Sequence, residues 1–250
     1  MYLRAVHADA GIPTLRQIIR QYPLGILTTA IPSESYPLIQ CTHIPFLLDV
    51  KDDSSETELG VLRGHMARQN PHSKALAEAA QTQNKSNMLE QEVMVLFNVP
   101  VHHYVTPKFY TETKPANGKV VPTWNYAAAQ IYGKAKIYWD SKAEDTGSFL
   151  GKQIRDLSDL AETGIMDHAK PWKVDDAPEN YISLLQKNII GIEIQVERLE
   201  GKFKMSQEMP EGDREGVIAG FEGLGTEVGT KLAAIVKERS DLKKEKAQKA

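Results

Sequence analysis

The chain has 250 residues, of which 41% are hydrophobic and 25% charged, and a formal net charge of -3. That composition supplies a core and argues against disorder, and the charge gives no general electrostatic reason to bind DNA or RNA. The single cysteine, Cys41, excludes an internal disulfide and suits a reducing compartment. Its neighbours Leu38, Ile39 and Ile44 make it read as a buried, inert thiol. No apolar run is long enough to span a bilayer, and the first residues show no signal-peptide pattern. The expected location is the cytosol, or the nucleus if a partner carries the protein there.

The first element reads as a helix opened by a Thr14-x-x-Gln17 capping box, with Leu15, Ile18, Ile19 and Tyr22 on one face and Pro23 as its stop. Leu24 to Ala30 reads as a strand. Tyr36 to Val50 reads as a second strand, bent or at an edge because Pro37 and Pro45 interrupt it. A polar turn at Asp52–Glu56 leads to a third strand, Leu59–Gly64. Asn70 then caps a helix with Pro71 at its first position and Ala75, Leu76, Ala79 and Ala80 following. Gln81–Gln91 is polar and reads as a loop. Glu92–Phe97 and His103–Thr106 are short strands. Residues 121–126 read as an aromatic turn ahead of a strand from Gln130 to Trp139, where Ile131, Gly133, Ala135 and Ile137 alternate with Lys134 and Lys136.

A second capping box, Ser141-x-x-Glu144, precedes Phe149, Leu150, Ile154, Leu157 and Leu160 at helical spacing, and Pro178 opens another short helix. Ile190 to Leu199 alternates again, with Ile192, Ile194 and Val196 inward. After Lys204 the pattern turns helical, in two stripes broken at Gly223 and Gly225, and Lys237–Ala250 is charged and expected to fray. Strands at hairpin-scale spacing with helices inserted between them predict an α+β fold built on an antiparallel barrel.

Three stretches carry candidate chemistry. Arg63-Gly64-His65-Met66-Ala67-Arg68-Gln69-Asn70-Pro71-His72 places cations where a strand delivers them to a helix N-terminus, a device suited to phosphate. Trp124-Asn125-Tyr126 offers flat faces and an amide to a planar heterocycle. Gly201-Lys202-Phe203-Lys204-Met205-Ser206-Gln207 follows a strand and supplies two cations, a hydroxyl and an amide. Each alone is matched by a bland alternative of surface charge or core aromatics. His43, His102 and His103 lack the companions of a standard metal site, so no metal is expected.

Taken together with Thr42-His43-Ile44-Pro45-Phe46 and Tyr104–Tyr110, these motifs resemble the PaiB-like FMN-binding "negative transcriptional regulator" family, from Met1 to about Arg239. The resemblance implies an antiparallel split β-barrel, with peripheral helices and a helical C-terminus, like the pyridoxamine phosphate oxidases. It also implies a homodimer with FMN in a groove at the subunit interface. Residues 1–210 would form the FMN-binding domain, and 211–250 a helical extension packed on the barrel, ending in a charged tail. The cofactor-binding residues it implies are Thr42, His43, Arg63, Gly64, His65, Arg68, Asn70, Trp124, Asn125, Tyr126, Lys202, Lys204, Ser206 and Gln207. The chain departs from the family pattern at His72-Ser73 and at Glu208; a carboxylate there either points away from the phosphate or implies a different ligand. Two functional readings follow. One is a flavin-dependent oxidoreductase with an unassigned small-molecule substrate. The other is non-enzymatic: a flavin-binding regulator without direct DNA contact, or a split barrel holding haem or another planar cofactor through His43, His65, His102 or His103.

Overall fold

The computed structural model describes residues 1–83 and 86–249. In chain order the elements are β1 (Ala8–Asp9), α1 (Ile12–Gln21), β2 (Leu24–Ala30), β3 (Ile39–Pro45), β4 (Leu47–Asp49), β5 (Val61–Ala67), α2 (Pro71–Gln83) and β6 (Val93–Asn98). There follow β7 (His103–Val105), α3 (Thr113–Asn117), β8 (Thr123–Tyr138), α4 (Glu144–Asp159), α5 (Glu179–Gln186), β9 (Ile189–Lys204), α6 (Glu211–Glu222) and α7 (Glu227–Lys249). They fall into two compact units. The barrel unit comprises Gly11–Phe97 and Gln130–Leu199; the terminal unit comprises Met1–Ala10, Asn98–Ala129 and Glu200–Ala250. Strands β8 and β9 each begin in one unit and end in the other.

In the barrel unit the strand path runs β3-β2-β6-β8-β9-β5-β4, and the β2–β3, β2–β6, β4–β5 and β5–β9 pairs are antiparallel. β3 and β4 stand at opposite ends of this path, yet Phe46 alone separates them in the chain. A sheet can satisfy both facts only by curling until its ends meet, which is a barrel. Leu27, Ile44, Phe46, Leu62, Val95, Phe97, Ile131, Ile192 and Ile194 are all buried, as their period-two spacing predicts. Phe46 and Phe97 meet edge to face at 6.0 Å. Gly133 marks a close strand crossing: a Cβ there would lie 2.0 Å from the Gln195 carbonyl oxygen. The α+β antiparallel fold read from the sequence is the observed one.

Several local expectations change. Helix α1 starts at Ile12, with Gly11 as its cap and Pro13 in its first turn, so Thr14 lies inside the helix and caps nothing. Helix α4 likewise starts at Glu144 after Ala143, without a side-chain cap from Ser141. The expected aromatic turn at Trp124–Tyr126 is the opening of β8. Cys41 is exposed rather than buried, because β3 ends the sheet path and turns alternate residues outward. Helix α2 extends to Gln83, into the stretch read as a loop; Asn84 and Lys85 of that stretch lie outside the described residues. Helix α7 continues to Lys249 where fraying was expected.

The Asp52–Glu56 turn has an organiser that no local pattern reveals. Arg16, 1% exposed, donates to the carbonyls of Asp52, Asp53, Ser55 and Glu58 at 2.7–3.4 Å. Four backbone acceptors are satisfied by one planar cation.

In the terminal unit β1 pairs with the end of β9 (Ala8 opposite Lys202), and β7 pairs with the start of β8 (His103 opposite Asn125). Helices α6 and α7 pack together over a core that includes Val105, Phe203, Met205, Val217, Phe221 and Leu232. Among the described residues no helix is long and apolar enough to cross a membrane.

Candidate functional site

The fourteen residues singled out above divide between the units. Seven belong to the barrel unit and form separate groups. Thr42 and Asn70 join a polar chain centred on the buried His72. Asn70 caps α2 as expected: its Oδ1 accepts from the His72 amide at 3.0 Å, which leaves its Nδ2 to donate to the Thr42 hydroxyl at 3.3 Å. His72 is 2% exposed, with Nδ1 at 2.9 Å from the Thr42 hydroxyl and Nε2 at 2.8 Å from the Thr29 hydroxyl. Since Thr42 accepts from Asn70, its proton is best placed toward His72 Nδ1, and Nε2–H then donates to Thr29. Burial lowers the His72 pKa to about 4. The His72-Ser73 departure is therefore built into the fold, and the Ser73 hydroxyl donates to the Ala67 carbonyl at 2.7 Å.

Arg63 and Arg68 are both engaged by protein acceptors. Arg63, 6% exposed, pairs with Asp49 through Nε and Nη2, with Asp156 through Nη2 at 2.7 Å, and with Gln153 Oε1 at 3.2 Å. Burial alone would lower its pKa, but the Asp49 and Asp156 bonds outweigh that and raise it. Arg68 donates to the carbonyls of Trp139, Lys187 and Ile189 at 2.6–3.1 Å, pinning the end of β5 to the start of β9. Gly64 faces the barrel interior, where a Cβ would lie 2.8 Å from Ile44. His43 is exposed on β3, and His65 points to the opposite side from Gly64, into a pocket beside α4 and α5.

The seven terminal-unit residues form one cluster. Lys204 donates to the Thr123 hydroxyl and, at 3.0 Å, to the Trp124 carbonyl, so the end of β9 is tied to the start of β8. Its pKa is lowered, first by burial and further by the nearby cations Lys202 and Arg4, although Glu208 opposes this. Lys202 is 8% exposed, donates to the Tyr2 carbonyl at 3.1 Å, and stands 5.3 Å from the Tyr126 ring centre. Ser206 is fully buried at φ +62°, a left-handed conformation that costs a serine free energy. Gln207 holds that turn by accepting from the Met205 amide at 2.7 Å and donating to the Phe203 carbonyl at 2.6 Å. The Ser206 hydroxyl donates to Asn125 Oδ1 at 3.2 Å. Asn125 is fully buried, and its Nδ2 has no hydrogen-bond partner. An amide donor shut away without an acceptor is costly, and ligand sites are where such groups are expected.

One member of this cluster had no sequence signal. His7 is buried, with Nε2 2.9 Å from Glu208 Oε2. Burial pushes the Glu208 carboxyl up, but the His7 bond and its other partners outweigh that and hold it below the usual range. Glu208 thus lies against a protein partner, His7, while its charge still acts on Lys204. Tyr110 is also buried, and desolvation followed by the charges of Glu208 and Asp213 raises its pKa. Among the described residues no group of three potential metal ligands occurs.

The cluster combines two ammonium groups, an unpaired amide donor and the exposed ring of Trp124. It is chemically suited to an anionic ligand with a flat portion. Comparison with known proteins gives the family. The family described as "Putative FMN-binding domain" matches residues 1–198, which takes in Trp124–Tyr126 and ends short of Lys202. An uncharacterized protein of Emericella nidulans is 64% identical over 251 residues, covering 98% of this chain and 100% of that protein. The Bacillus subtilis protease synthase and sporulation protein PAI 2 is 27% identical over 240 residues, covering 96% of this chain and 98% of its own. Among solved structures, the flavocytochrome Anf3 of Azotobacter vinelandii aligns with a TM-score of 0.46 and 11% identity, over 81% of this chain and 72% of that one. With the family matched over most of its length, the chain belongs to the FMN-binding domain family, and FMN is the cofactor that membership assigns.

Proposed function

We propose that the protein is an FMN-dependent oxidoreductase that uses the terminal-unit cluster to hold the flavin. The observation that carries this reading is the unpaired, buried Nδ2 of Asn125, set beside Ser206 and in the same unit as two lysines with unused ammonium protons. Lys202 and Lys204 would neutralise the phosphate, Asn125 would donate to an acceptor on the cofactor, and Trp124 and Tyr126 would offer ring faces. Bound FMN supplies hydride and electron chemistry; the protein supplies position and charge. Burial that lowers the Lys204 pKa also makes an anionic partner more favourable there than in water. The same reading includes the homodimer that the family resemblance implies, acting in a reducing compartment such as the cytosol.

Titration with FMN, followed by flavin absorbance and fluorescence, tests the binding. Replacing one lysine of a charge-assisted pair, as in Lys204→Met, should weaken FMN by about 1.5–3 kcal/mol, roughly 10- to 150-fold. Wild-type protein that takes up no FMN would end the reading. FMN uptake without any reduction by NAD(P)H would leave a flavin-binding regulator, the function class suggested by resemblance to the PaiB family. A solution mass of twice 27.9 kDa by light scattering is the expected oligomer.

A further inference from the structure

The barrel unit contains a pocket of about 500 Å³ that the cluster above does not use. Its floor is the outward face of β5 at His65 and Ala67, and its walls are α4, through Ile154 and Leu157, and α5, through Leu185. None of its lining residues carries a formal charge, apart from the option of a proton on His65. Burial lowers the His65 pKa, favouring the uncharged ring. Its Nδ1 is sealed from solvent without a hydrogen-bond partner, whereas Nε2 is not sealed off and the ring lines the pocket. The mouth is apolar too: Trp172, Tyr181 and Leu185 are 45–53% exposed. Large apolar side chains left exposed around an apolar hollow mark a place where something binds. Just beyond α4 the chain widens into a π-helical turn, Leu160–Ile165, a distortion frequent at functional sites.

We infer that this pocket between β5, α4 and α5 is a separate binding site for an uncharged, mostly apolar small molecule with one hydrogen-bonding group that meets His65. The volume suits a small organic molecule, and the lack of lining cations disfavours a phosphate. A charged ligand would lose hydration with no counter-charge in the lining to replace it, while a neutral ring system would gain from the apolar walls. On the floor of the pocket the imidazole can orient such a ligand, as donor or acceptor according to tautomer. The inference does not depend on where FMN binds.

The test uses the full chain and N-phenyl-1-naphthylamine, a neutral aromatic probe with a single N–H whose fluorescence rises in apolar surroundings. Saturable binding at one probe per chain, unaffected by FMN, is the expected result. Leu157→Trp fills the pocket and should weaken the probe at least about tenfold. His65→Phe keeps the ring and removes the polar atom, and should cost about 2- to 10-fold, the worth of one hydrogen bond. Circular dichroism checks the fold; if Leu157→Trp does not fold, Leu185→Trp at the exposed rim takes its place. Absence of saturable binding, or equal affinity in the filled variant, overturns the site. Displacement of the probe by FMN also overturns it, because the pocket would then be the flavin's. Equal affinity in His65→Phe overturns the part assigned to His65. A failure of FMN binding is read in a separate titration and leaves this result standing.

Discussion

Protonation of His72 should govern the acid stability of this protein. The ring is 2% exposed, neutral and bonded at both nitrogens, with its pKa lowered from 6.5 to about 4 by burial. In the unfolded chain the same residue takes up a proton as the pH falls below 6.5. The folded state refuses that proton until the pH nears 4. A depressed histidine pKa therefore contributes stability that is fully present above pH 6.5 and is lost as the pH falls toward 4. At about 1.4 kcal/mol per pH unit, the loss is roughly 2 kcal/mol by about pH 5 and about 3 kcal/mol by about pH 4. His72→Gln removes the titration while retaining hydrogen-bonding atoms. Urea unfolding of both proteins from about pH 8 to about pH 4.5 isolates the effect. The variant starts less stable, but the gap should narrow by about 2.5 kcal/mol on acidification as the wild type loses its advantage. A gap that stays constant across that range would show that His72 does not titrate as its burial requires.

Three further outcomes are expected. Arg16→Met leaves the carbonyls of Asp52, Asp53, Ser55 and Glu58 without their donor; it should cost about 2–4 kcal/mol and open the 52–58 turn to limited proteolysis, and an unchanged digestion pattern would contradict that role. Gly133→Ala drives a methyl group to 2.0 Å from the Gln195 carbonyl, so the β8–β9 crossing must separate, with a loss of about 2–4 kcal/mol in chemical denaturation. Native protein should react with a disulfide thiol reagent at Cys41 without denaturant, since the side chain lies on the exposed face of an edge strand; a thiol that reacts only after unfolding would restore the buried reading.

What the sequence made legible follows the range of each interaction. β2 was read to the residue, because a β-branched run bounded by Pro23 depends only on near neighbours. Asn70 and Pro71 opened α2 for the same reason. The capping boxes at Thr14 and Ser141 failed because a motif of four residues says nothing about where tertiary packing starts the helix. Cys41 was misjudged because its neighbours are apolar, while its own side is decided by β3 standing at the end of the sheet path. The arginines show the same limit. Arg63 and Arg68 look alike as free cations in a sequence, but Asp156 lies 93 residues from the one and the Ile189 carbonyl 121 residues from the other.

The two departures from the family pattern are each met by partners in the structure. Histidine at 72 is tolerated in the interior because Thr29 and Thr42 place a hydroxyl at each ring nitrogen. Glutamate at 208 is tolerated beside a cationic cluster because His7 meets it on the buried side. The second pair has an electrostatic consequence. Lys202, Arg4 and burial all disfavour the charged form of Lys204, and Glu208 is foremost among the groups that favour it. A carboxylate held by His7 thus helps keep a half-buried ammonium protonated, which is the state an anionic ligand needs. Removing Glu208 would take away a repulsive charge but also weaken the cation that does the binding. The two effects oppose each other, so the residue that looks least compatible with a phosphate is compatible with holding one.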